Sequence, residues 1–146
     1  MNPEFNELLF ALCAAEVRFL VVGAYALALH GHPRSTGDLD IWVQPTQLNA
    51  GRVLGALRRF GAPLSQVKEE DFAHPGIVFQ IGLQPLRVDL LTELTGLEFE
   101  EAWQDRVSHR IGACEAPFLG RKSFIKNKRA TGRPQDLVDA ELLEKG

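Results

Sequence analysis

Hydrophobic positions along this chain switch between a helical and an extended rhythm, and the switches mark the elements. Leu8, Leu9, Leu12 and Cys13 recur at helical spacing; with Asn2 as a cap and Pro3 at the first position they predict a helix over 3–16. The unbroken apolar run 17–22 (VRFLVV) predicts a short buried strand. Gly23 follows, and 24–30 (AYALALH) reads as a helix ended by Gly31, before a loop over 33–37. Residues 38–43 (DLDIWV) alternate and predict a strand, and Thr46 caps a helix over 47–60 stopped by Gly61 and Pro63. Two further strands, 77–82 and 86–91, are joined through Gln84-Pro85 as a hairpin. A short helix over 98–104 precedes a last strand over 106–111. Ser123 caps a helix to about residue 130; Gly132 ends it, and Pro134 opens a final helix over 135–144.

Strand, helix and strand near the front, then a hairpin, predict an α/β (α+β) fold: a mixed sheet flanked by helices. The 146 residues suit one domain over 1–146, with a helical segment over 121–146. A chain of that size buries roughly 70% of its unfolded surface, so its core needs no staple. Cys13 and Cys114 stand far apart without metal-ligand spacing and read as buried free thiols, which suits a reducing cytoplasm. Glu4 and Glu7 occupy the place of a basic leader, so no signal peptide is expected. The longest uncharged run, 19–33, falls short of the roughly 20 apolar residues of a membrane span, so no membrane partner is expected.

The net charge of −3 argues against nucleic-acid binding by bulk charge, but its distribution is uneven. Eight of the 16 Lys and Arg residues fall between Arg106 and Arg133, where Glu115 is the sole acid. That segment is either a face for a phosphate-bearing ligand or a solvated basic surface.

The candidate chemistry is acidic. Asp38 and Asp40 stand two apart on a strand, so both carboxylates share one face while Leu39 and Ile41 share the other. Asp is depleted in strands, and two like charges side by side repel unless a cation joins them; Mg²⁺ takes such oxygen ligands. Asp89, set among Val88, Leu90 and Leu91, must also be paired, metal-bound or at an edge. Gly23 between a strand and a helix permits close approach to the helix's free N–H groups, which favour phosphate oxygens.

Three stretches carry a family likeness: Val22-Gly23-Ala24-Tyr25-Ala26; 30–40 (HGHPRSTGDLD); and Arg87-Val88-Asp89-Leu90-Leu91. With the tail 127–137 (NKRATGRPQDL), they resemble the nucleotidyltransferase superfamily, in particular small uncharacterised bacterial members similar to abortive-infection toxin nucleotidyltransferases. The resemblance covers nearly the whole chain and implies a minimal nucleotidyltransferase fold. It implies transfer of a nucleoside monophosphate from an NTP to an acceptor, whether tRNA, protein or a small molecule, with Mg²⁺ or Mn²⁺. A toxin role would bring an antitoxin or other partner protein.

On that resemblance Asp38, Asp40 and Asp89 are the catalytic and metal-binding residues. Gly23, Ala24, Tyr25, Arg34, Lys128, Arg133 and Asp136 become the nucleotide-binding set. Ala24 stands where many members carry Ser or Gly, and thirteen residues separate it from Asp38, more than in many members. Each of the ancillary residues also has a plainer reading. Arg34 suits a solvated loop charge, and Lys128 and Asp136 suit helix-end chemistry. Tyr25 and Trp42 are either core packing or stacking platforms for a base. His30 and His32 suit a helix end rather than a metal.

Overall fold

A computed structural model describes residues 2–33, 38–83 and 86–145. Helix α1 (Pro3–Ala14) is followed by β1 (Phe19–Val22), α2 (Gly23–Leu29), β2 (Asp38–Val43) and α3 (Gln47–Phe60). A 3-10 turn over Glu69–Ala73 leads to β3 (Val78–Leu83) and β4 (Leu86–Leu91). Then come α4 (Phe99–Gln104), β5 (Val107–Ile111), β6 (Cys114–Phe118), α5 (Arg121–Thr131) and α6 (Pro134–Lys145).

The helices begin where their caps dictate. Asn2 accepts from the Glu4 amide at 2.7 Å, and Phe5, Leu8, Leu9 and Leu12 form the buried stripe of α1. Thr46 accepts from the Asn49 amide at 3.3 Å and starts α3. Asn49 itself is buried and fully used. Its amide donates to the carbonyls of Arg18 and Gln44, and its oxygen accepts from the Arg18 N–H, tying α3 to the ends of β1 and β2.

The six strands form one mixed sheet in the order β3-β4-β2-β1-β6-β5. β1 runs antiparallel to β2 and parallel to β6, while β2 and β4 are parallel. β1 is buried along its whole length, as a central strand covered on both faces must be. On β2, Leu39, Ile41 and Val43 are fully buried on the face away from the carboxylates. Trp42 shares the carboxylate face but is only 1% exposed, set edge-on to Phe99 of α4; it is core, not a platform for a base.

Four expectations are revised. A sixth strand, β6, was not expected: Pro117 within it reads against a strand, yet it takes its place between β1 and β5. The turn at Glu69–Ala73 was not expected either; buried Phe72 anchors it. Helix α5 starts at Arg121, capped by Gly120 rather than Ser123. Ser123 instead donates its amide to Asp105 at 3.0 Å, and a Cβ at Gly120 would overlap the Asp105 carbonyl, so the close approach requires glycine.

The fourth revision concerns the thiols. Cys13 and Cys114 are joined in a disulfide between α1 and β6, with Cα atoms 5.9 Å apart. A separation of 101 residues hides such a pair from any reading of spacing, whereas α1 packs directly on β6. The free-thiol expectation is therefore corrected, and the argument from cysteine usage to a reducing compartment falls with it. Among the described residues no helix is long and apolar enough to cross a membrane.

Candidate active site

The first strand ends where the second begins, and that corner carries the acids. Asp40 is the register partner of Val22 on β1 and of Asp89 on β4. Register partners share a face, so Asp38, Asp40 and Asp89 come together at one end of the sheet, beside the turn into α2. Gly23 makes that turn with φ +69°, and a Cβ there would overlap Asp40 Oδ2 and lie 3.1 Å from Asp40 Cγ. Both its backbone conformation and the carboxylate against it exclude any larger residue.

One cation spans the cluster. Arg87, the register partner of Asp38, donates from Nη2 to Asp38 Oδ2 at 3.1 Å. Its Nε lies 3.2 Å from Asp89 Oδ1, close enough for an ion pair, yet Asp89 Oδ1 is buried without an aligned hydrogen bond. Arg87 and Asp38 are about half exposed, whereas the Asp89 side chain is 14% exposed.

Among the described residues Arg87 is the cation paired with these carboxylates. Burial, then Asp89, then Asp38 push the Asp40 carboxyl up to about 6, against the opposing pull of Arg87 and Lys128. Burial and the charge of Asp38 also raise the Tyr25 hydroxyl above its ordinary value. Tyr25 is half-buried, edge-on to Phe5 at 5.9 Å, so it serves packing and borders the acids at once.

The remaining expected site residues separate. Lys128 influences Asp40, but its Nζ is engaged in an elbow between α5 and α6, 3.2 Å from Asp136 Oδ1 and 3.7 Å from Asp139 Oδ2. Asp136 also accepts from Thr131 at 2.7 Å and from Arg133 Nε at 2.6 Å. Burial raises its carboxyl, but these hydrogen bonds outweigh burial and hold it at about 2. Lys128, Arg133 and Asp136 thus form a closed network joining two helices. Ala24 lies half-buried in the first turn of α2, and Arg34 lies outside the described residues. The wider basic segment is largely paired: Lys126 with Glu101, Arg110 with Glu115, Arg129 with Glu144. His30 ends α2 with Nε2 2.8 Å from the Leu119 carbonyl, a helix-end role as expected.

Reading the sequence missed Arg87 as a member of the site. The signal was present, since Arg87 stands two residues before Asp89 on a strand and so shares its face. Among the described residues no group of three His, Cys, Asp or Glu side chains stands ready to hold a metal ion as placed. The donor set nonetheless suits a hard cation: the clustered groups are carboxylates, and their mutual repulsion at Asp40 is what a bound cation relieves.

Over 99% of its length the chain matches a solved structure from Thermotoga maritima described as a "putative nucleotidyltransferase", with a TM-score of 0.60, 15% identity and 93% of that chain covered. The chain has a nucleotidyltransferase-type fold. No family model matches the sequence, and no curated protein matches it. At 15% identity the likeness speaks for the architecture, a mixed sheet flanked by helices, and leaves the chemistry to be argued from the corner itself.

Proposed function

We propose that this protein is a metal-dependent nucleotidyltransferase that moves a nucleoside monophosphate from an NTP to an acceptor. The observation that carries the reading is the gathering of Asp38, Asp40 and Asp89 on one face against the Gly23 turn. Asp38, Asp40 and Asp89 are the residues that would hold Mg²⁺ or Mn²⁺, which when bound neutralises the phosphates' charge and polarises the reacting phosphoryl group.

The chain's own groups then divide the work. Helix α2 opens without a side-chain cap, so the N–H groups of Gly23, Ala24 and Tyr25 are offered to the β- and γ-phosphates. An acceptor hydroxyl oxygen forms a bond to the α-phosphorus, the bond to pyrophosphate breaks, and Asp89 takes the hydroxyl proton if it does not serve the metal. Lys128 adds positive charge towards the phosphates, with Arg133 and Asp136 holding its helix in place. Holding the reactants in line supplies much of the rate. The acceptor is tRNA, a protein or a small molecule. Where it is tRNA or protein the chain would act as a toxin, and a neighbouring gene for an antitoxin would identify that role.

Pyrophosphate release from each NTP, with Mg²⁺ or Mn²⁺, tests the reading. Asp38→Ala/Asp40→Ala is expected to lower it by at least about 10³-fold, the scale of losing a main electrostatic contact. Equal, metal-independent signals from both proteins would end the assignment.

One observation favours a second reading. Arg87 already pairs with both Asp38 and Asp89, as it would in a catalytically silent module that binds nucleotide or a partner. Thermal melting separates the two: a ligand at about 100 times its Kd stabilises by about 2.7 kcal/mol. A shift that needs both metal and NTP is expected for the enzyme; no shift with either supports a silent partner-binding module.

A further inference from the structure

The guanidinium of Arg87 lies against carboxylates of two neighbouring strands. Its planar fork offers Nη2 to Asp38 on β2 and Nε to Asp89 on β4, so one side chain links both carboxylates. Both contacts are weak by construction. The Asp38 pair is half exposed and screened by water. The Asp89 contact lacks hydrogen-bond alignment and rests on charge alone. Asp40, the register neighbour of Asp89, makes no ion pair among the described residues.

We propose that Arg87 is a built-in counter-cation for this corner: it holds Asp38 and Asp89 until a divalent cation displaces it, and so sets a threshold for metal binding. The inference rests on the reading of the three carboxylates as a cation site. It explains why those carboxylates share a face without standing ready as a group of metal ligands. The guanidinium holds Asp38 from Nη2 and Asp89 from Nε. The half-exposed position of Arg87 leaves solvent on one side, into which the side chain swings when released. A nucleotide triphosphate arriving with the cation supplies the anion that the released guanidinium loses, which favours joint over separate binding.

The test measures metal affinity without turnover. Free Mn²⁺ is followed by electron paramagnetic resonance during titration of the nucleotide-free protein, with circular dichroism to verify folding. Arg87→Gln is expected to bind Mn²⁺ about tenfold more tightly than the wild type, the size expected from two ion pairs that share one half-exposed guanidinium. Arg87→Lys, whose ammonium reaches one carboxylate better than two, is expected to fall between, and it stands as the test if the Gln variant does not fold. Adding Asp40→Asn to Arg87→Gln is expected to abolish the gain. Equal or weaker Mn²⁺ binding by Arg87→Gln and Arg87→Lys, with binding still dependent on Asp40, would overturn the role of Arg87 and leave the cation site standing. Absence of Mn²⁺ binding in every variant would overturn the cation site and, with it, this proposal.

Discussion

The corner at Gly23 and the elbow between α5 and α6 are both clusters of charged side chains, and they are built on opposite rules. In the elbow, Lys128 and Arg133 face Asp136 and Asp139, so cations and acids match. Asp136 and Asp139 are buried, and the contacts of Lys128 and Thr131 tie α5 to α6. At the corner Asp38 and Asp89 share the guanidinium of Arg87 among the described residues, and burial, then Asp89 and Asp38, press on Asp40. A balanced, buried network stabilises a fold. Like charges set side by side at the half-open end of two inner strands destabilise a fold.

The contrast has opposite signatures in stability. The larger effect belongs to the elbow. Asp136→Ala leaves Lys128, Arg133 and Thr131 without their shared acceptor and is expected to destabilise the protein by about 3 kcal/mol, read from the urea midpoint. A loss below about 1 kcal/mol would show that the elbow is not the balanced network its distances describe.

The smaller effect is of the other sign. Asp40 is raised from 3.8 to about 6, so the folded state binds its proton more tightly than the unfolded chain does. Its contribution is favourable below 3.8 and is lost as pH rises from there to about 6. Asp136, lowered from 3.8 to about 2, runs the other way: its contribution is present above 3.8 and lost as pH falls towards 2. Asp40→Asn is therefore expected to stabilise the protein at pH 8 by about 1–2 kcal/mol, after allowance for solvent screening at a partly open site. The gain is expected to vanish below pH 4. A loss of stability at pH 8 would mean that Asp40 is a structural partner like Asp136.

Much of the corner was legible in the sequence, because the two-residue period of a strand is strict. Asp38 and Asp40 had to share a face, and Asp89 had to be exceptional among Val88, Leu90 and Leu91. The pairing that sets Asp40 against Asp89, and the approach of Gly23 to Asp40, depend on strand order, which no local pattern states. Arg87 escaped notice because arginine on a strand reads as an ordinary surface charge until its register with Asp38 is known. The elbow depends on the fold in the same way. Lys128, Arg133 and Asp136 were read as either helix-end or nucleotide-binding residues, and their contacts with one another appear only once the two helices are placed together. Pro117 disguised β6, and with β6 hidden nothing placed Cys114 beside Cys13.

That bond closes a covalent loop around most of the molecule. Asp38, Asp40, Arg87 and Asp89 lie inside the ring from Cys13 to Cys114, whereas α5 and α6 follow it in the chain and pack on the core through Phe124 and Leu143. Pulled by its two ends, the oxidised chain pays out only the short arms beyond the cysteines, and the carboxylate corner feels no tension. A protease that trims the tail removes Lys128 and its network but leaves the ring unbroken, so the two clusters can be parted with a single cut.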